Sequence, residues 1–196
     1  MSKKITTMQT IAEGSGRLIQ ENGGELPSVR DVSKVTGFSA ATVYFHFGSI
    51  GGVIRHLWRL QITALHIDLE NLITAHDPKT DPGIFLDQLV DRLFAQVLKF
   101  NPTLIRKIYK IALENSDRIT ELDVAGDRLG INFRALIARD ETGRFNTLTN
   151  DEITYQFRGM QAIIRSPLME RSPFFGTPAH VRLAKTYMRK MFLKEN

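Results

Sequence analysis

The sequence predicts an all-α protein, and three observations predict it. Apolar residues recur at three- and four-residue spacing along most of the chain. No segment sustains the period-two alternation of β-branched residues that a half-buried strand needs. Clusters of Gly, Pro and Asn separate the periodic segments. Together they place about nine helices, roughly at 5–22, 29–36, 40–46, 50–75, 82–99, 102–114, 117–139, 150–165 and 178–194.

Each element has its own warrant. Ile11, Leu18 and Ile19 give the first helix an apolar face, and Asn22-Gly23-Gly24 ends it. Ser28 opens the second: its hydroxyl can accept from the Asp31 N–H while Asp31 reciprocates, as in a capping box. Val29, Val32 and Val35 supply that helix with an apolar side, and Gly37 stands where a left-handed residue would terminate it. Ser39 caps the short third helix, which Gly48 closes. The fourth carries Val53, Leu57, Leu60, Ile62, Leu65, Leu69, Leu72 and Ile73, and stops before Asp77-Pro78. Asp81-Pro82-Gly83 starts the fifth, whose stripe runs from Phe85 to Leu98, and Asn101-Pro102 starts the sixth. Asp140 to Asn150 reads as a loop ending in the caps Thr149-Asn150. Ser166 to Pro178, with three prolines, reads as a long connection before the last helix.

Composition bounds the chemistry. The 196 residues hold no Cys, which excludes a disulfide framework, a thiolate nucleophile and Cys-ligated metal. At 42% hydrophobic and 24% charged the chain has material for a core without a metal staple. No apolar run approaches the roughly 20 residues of a membrane span, and no apolar stretch follows Lys3-Lys4, so neither a membrane partner nor a secretory signal is expected. The cytoplasm is the expected compartment. Net charge is +5, and residues 1–60 hold 7 basic against 4 acidic side chains, a surplus that suits a polyanionic partner.

The informative segment is Pro27 to Gly48. Ser33, Gly37 and Val43 have the spacing of a helix-turn-helix: a small residue for close approach, a glycine for the turn, an aliphatic to lock the second helix. In that second helix Val43 and Phe47, four apart, face inward. Ala40, Ala41 and Thr42 fill the first exposed turn, where a recognition helix meets base edges, and their methyls suit thymine. Tyr44 and His46 flank the helix with donors that reach phosphates.

From Ile11 to Val53 the chain resembles the DNA-binding domain of TetR-family transcriptional regulators, through Ile11, Gly23, Ser28-Val-Arg-Asp-Val32, Gly37, Ser39, Thr42-Val-Tyr44 and His46-Phe47. The resemblance implies a three-helix DNA-binding domain over 1–49 and a larger helical domain over 50–196 that dimerises and binds a small-molecule effector. It implies that Ser28, Thr42, Tyr44 and His46 contact phosphate and that Ala40 and Ala41 face bases, with the cap Ser39 on the same surface. In one place the chain departs from the pattern: where the family has a polar residue, Ser and then Lys-Glu, this chain has Gly48-Ser49-Ile50-Gly51-Gly52. Ile50 cannot neutralise a phosphate, although helix-start N–H groups behind Ser49 can still accept one.

The rest of the chain has no phosphate-binding glycine loop. His46, His56, His66 and His76 recur every ten residues, but ten residues rotate a helix by ~280°, so they share no face. His66 and Glu70 form the only chelating spacing, and neither a metal nor a cofactor is expected. Trp58, Phe94, Tyr109 and Phe133, with His66, Arg106 and Asn115 as polar anchors, are candidate lining for an effector pocket. Phe157, Gln161 and Ile164, beside the small Gly159 and Ala162, and then Val181, Ala184 and Met188, read as a dimer surface in a four-helix bundle. The expectation is a homodimeric repressor on palindromic double-stranded DNA and not an enzyme. The alternative is a protein of this fold with weak or lost DNA binding that acts through a protein partner.

Overall fold

The structure, a computed structural model, describes residues 3–114 and 120–195, with side chains described over 6–110 and 129–195. Among the described residues there are nine helices: α1 (Lys3–Glu21), α2 (Val29–Thr36), α3 (Ala40–Phe47), α4 (Ile50–Ala75), α5 (Pro82–Leu98), α6 (Pro102–Glu114), α7 (Thr120–Ala138), α8 (Asn150–Met169) and α9 (Pro178–Phe192). The all-α expectation holds, and the one extended pairing among the described residues is an isolated bridge between Phe145 and Leu193. None of these helices is long and apolar enough to cross a membrane.

Two compact packing units divide the chain, residues 1–64 with 100–118, and residues 65–99 with 119–196. The first has two adjoining cores. Ile11, Val32, Val43 and Val53 join α1 to α4, with Leu18, Val29, Phe38, Phe47 and Ile50 packed around them. Ile19 and Ile54 meet Leu104 and Ile108 of α6, with Leu26, Leu57, Trp58 and Phe100 at the margin. Asn101 fastens the start of α6 to the α1–α2 turn, its amide donating to the Gly23 carbonyl at 2.8 Å, and Lys107 pairs with Glu25.

The second unit is built around aromatic rings. Phe133, fully buried, has the rings of Phe192 at 4.7 Å, Phe157 at 5.2 Å, Phe145 at 5.9 Å and Phe85 at 6.0 Å. Edge-to-face and tilted pairs at such spacings add to the stabilisation that burial supplies. Ion pairs tie α9 to α5: Arg189 donates through two nitrogens to the Asp87 carboxylate at 2.9 and 3.0 Å, and Lys185 pairs with Asp91 at 2.8 Å.

The end of α8 departs from the expected 165. The helix continues to Met169 with Pro167 inside it, so Ser166 to Met169 are helical rather than part of the connection. A proline there has no N–H for the carbonyl of Ile163, four residues back. His180 supplies the missing donor: its Nε2 lies 2.9 Å from the Ile163 carbonyl, while its Nδ1 accepts from the Gly176 N–H at 3.0 Å. Accepting at Nδ1 fixes a neutral ring with the proton on Nε2. His180 is fully buried, with Phe94 edge-on at 4.8 Å.

Candidate nucleic-acid interface

Local chemistry sets both short helices. Ser28 accepts from the Asp31 N–H at 3.2 Å while Asp31 accepts from the Ser28 N–H at 3.0 Å, the reciprocal box expected at that spacing. These bonds hold the Asp31 carboxyl below its ordinary range, with Lys34 and Arg30 adding a smaller effect. Gly37 ends α2 at φ 74°, a left-handed conformation in which a side chain is strained, and donates to the Ser33 carbonyl at 3.0 Å. Ser39 caps α3 by accepting from the Thr42 N–H at 3.1 Å, and the two hydroxyls lie 2.9 Å apart.

The two faces of α3 separate cleanly. Val43 is fully buried against α1, α2 and α4, and Phe47 packs beside it. Ala40 and Ala41 are exposed, Thr42 is half-buried, and Tyr44 is 53% exposed. His46 is half-buried; its Nδ1 is enclosed with no hydrogen-bond partner, and the rings of Phe45 and Phe47 lie beside it. An enclosed lone pair is tolerated better than an enclosed N–H, so the ring's proton belongs on Nε2. The Ser28 hydroxyl is engaged with Asp31, its O–H donating to Oδ2 at 2.6 Å. Val35, expected on the apolar side of α2, is 46% exposed and stands outside the core.

Sequence reasoning passed over Phe45, which is 82% exposed. Its helical phase carries the signal: with Val43 buried, a residue two positions on lies ~200° around the helix, in solvent. The exposed side of α3 holds no Arg, Lys, Asn, Gln, Asp or Glu, whereas Arg30 and Lys34 are exposed on α2.

Ser49 caps the start of α4, its Oγ accepting from the Gly52 N–H at 3.1 Å. A Cβ on Gly52 would lie 1.9 Å from the Phe47 carbonyl oxygen, so this glycine allows the backbone ending α3 to rest on the first turn of α4. At Ile50 and Gly52 the departure therefore has a packing reason, since Ile50 itself packs against the core below α3.

The candidate effector residues fall in two groups. In the first unit Trp58 and Tyr109 make an edge-to-face pair at 6.0 Å, and Arg106 donates to the Thr103 hydroxyl at 3.0 Å. In the second, His66 is half-buried on α4, Phe94 packs on His180, and Phe133 is the centre of the ring cluster. Asn115 lies outside the described residues.

The dimer stripe needs correction. Phe157, Ile164, Ala184 and Met188 are buried in the core of their own chain, and Val181 packs against it, because the apolar side of each helix turns inward to the rings. Gly159 likewise serves an internal contact, since a Cβ there would lie 2.1 Å from the Tyr187 hydroxyl. Gln161 is exposed, together with Tyr155, Arg158 and Ala162 on α8 and Leu183 on α9.

No family model and no curated protein matches the chain. Solved structures do. A chain from Mesorhizobium loti described as a TetR-family transcriptional regulator aligns over 99% of this chain and 100% of its own, with TM-score 0.68 and 17% identity. The TetR-family regulator PfmR from Thermus thermophilus aligns over 92% and 96%, with TM-score 0.56 and 24% identity. One from Marinobacter aquaeolei aligns over 96% of both chains, with TM-score 0.59 and 15% identity. The chain has the TetR-family regulator fold.

Proposed function

We propose that this protein is a DNA-binding transcriptional regulator, a homodimeric repressor that binds a palindromic operator and responds to a small-molecule effector. The observation that carries the reading is α3 itself: a capped helix following a glycine turn, with Val43 buried beneath it and Ala40, Ala41 and Tyr44 in solvent. A helix held in this way is what a helix-turn-helix inserts in a major groove. Residues 1–49 carry the DNA contacts in this reading, and residues 50–196 the regulatory and dimer-forming part. Tyr44 and the Nε2 of His46 donate to phosphates, as do Thr42, Ser39 and Ser28 when their hydroxyls turn outward. Arg30 and Lys34 add sequence-independent attraction. One such helix reads too few bases for specificity, so two copies must act together, spaced by a turn of DNA. The exposed side of α8 and α9, with Tyr155, Gln161, Ala162 and Leu183, is the surface proposed to join them. Trp58 and Tyr109, whose rings pair between α4 and α6, are retained as candidate effector contacts, with Arg106 on α6 as the candidate polar anchor.

Selection of bound duplexes from a random pool, followed by gel-shift titration, tests this. Tyr44→Phe and His46→Ala should weaken binding to all sequences alike, while changes at Ala40, Ala41 or Thr42 should alter preference among sequences. A second reading has two observations in its favour: the uncharged, aromatic outer side of α3 and the lack of a lysine at the start of α4 also suit a protein partner. Failure to retain any duplex at low ionic strength would select it.

A further inference from the structure

The exposed arc of α3 has an unusual chemistry for a base-reading surface. Ala41 and Phe45, four apart, lie on one side of the helix, with Ala40 and Tyr44 beside them. The bidentate pairings that distinguish guanine and adenine need Arg, Lys, Asn or Gln, and α3 has none. Its hydroxyl near the base-facing turn, Thr42, is already within 2.9 Å of Ser39 Oγ. Apart from the Tyr44 hydroxyl, assigned to phosphate in the proposed function, what the arc offers is apolar: two alanine methyls and a Phe45 ring 82% exposed to water. The major groove has one apolar group on its base edges, the 5-methyl of thymine. Arg30 and Lys34, exposed on the preceding helix α2, complement a duplex rather than an apolar protein surface.

On the reading of α3 as a recognition helix, we infer that Phe45, together with Ala41, reads thymine through its 5-methyl group, so that the operator is specified by methyl contacts and not by bidentate hydrogen bonds. Removing one buried methyl costs about fourfold in affinity, and removing one from each half-site of a palindrome about fifteenfold.

The test uses the full chain and a duplex selected from a random pool. Each thymine of the half-sites is replaced symmetrically by deoxyuridine, which pairs identically but has no methyl. At one position binding should fall about fifteenfold, 5-methylcytosine in place of a cytosine there should bind tighter than cytosine, and Phe45→Ala should bind thymine and deoxyuridine duplexes alike. Equal binding of both duplexes by the unaltered chain would overturn methyl reading while leaving DNA binding intact. A methyl preference surviving in Phe45→Ala would overturn the assignment of the ring. Retention of no duplex would overturn the proposed function and this inference together. A change in sedimenting mass in Phe45→Ala, with unchanged DNA affinity, would give the face to a second copy of the chain and overturn the inference.

Discussion

Two adjacent glycines at the start of α4 should respond to the same substitution with opposite sign. At Gly51 an added Cβ meets nothing nearer than the Ser49 hydroxyl at 3.5 Å, an ordinary contact. Gly51→Ala therefore gains about 0.5–1 kcal/mol of helix propensity without a clash. At Gly52 the same Cβ would stand 1.9 Å from the Phe47 carbonyl oxygen, where real Cβ contacts essentially never fall below 3.0 Å. The ends of α3 and α4 must separate by at least the difference, about 1.1 Å. Such overpacking costs about 3 kcal/mol, the upper part of its usual span; the propensity gain offsets a fraction, leaving about 2 kcal/mol of destabilisation. For a chain of this length that is roughly 4–8 °C in melting temperature, against a rise of about 1–4 °C for Gly51→Ala. Thermal unfolding followed by circular dichroism reads both. A Gly52→Ala protein as stable as the parent would refute the argument that a backbone contact selects this glycine.

Three other perturbations follow from described contacts. His180→Ala leaves the Ile163 carbonyl and the Gly176 N–H without partners, a cost of about 2–5 kcal/mol; in a Pro167→Ala background the restored amide can reach Ile163, so denaturant titrations should show a smaller loss, and equal losses would refute the coupling. Burial first and Arg59 second lower the pKa of His56, and burial first and Arg139 second lower that of His76. The unfolded chain then takes up protons before the folded one, so stability is complete at neutral pH and declines as pH falls through about 6.5. Unfolding titrations from pH 7.5 to 5.5 should show that decline, and the double change His56→Gln, His76→Gln should flatten it. Ser28→Ala removes the α2 cap and should cost about 1 kcal/mol, whereas Ser28→Asp should restore most of it.

Helix ends were legible wherever the determinant was local. Ser28 with Asp31, Ser39 and Thr149 all cap the helices they were expected to open, while Asn150, read as a cap beside Thr149, is the first helical residue and Glu152 completes the box. The end of α8 was not, because the group that makes Pro167 tolerable belongs to His180, on another helix. Periodicity also identified the apolar sides of α8 and α9 but not what covers them: Phe157 and Met188 would show the same spacing facing a partner or facing Phe133 and its neighbours. The role of Gly52 was not legible, since its contact with Phe47 exists only once α3 and α4 have turned on each other. At the candidate interface, burial of Val43 and exposure of Ala40 and Ala41 were legible from phase. Phe45 was overlooked because an aromatic residue suggests a core, and only its phase says otherwise.

The packing of Leu104 and Ile108 on Ile19 and Ile54 has a consequence for grafting. A transplant that moved only residues 1–64 to another scaffold would strip Ile19 and Ile54 of their cover and leave the Gly23 carbonyl without the Asn101 amide. The portable piece is discontinuous: α6 is an obligatory passenger, and a chimera that omits it should arrive soluble only if its new host supplies an equivalent apolar lid.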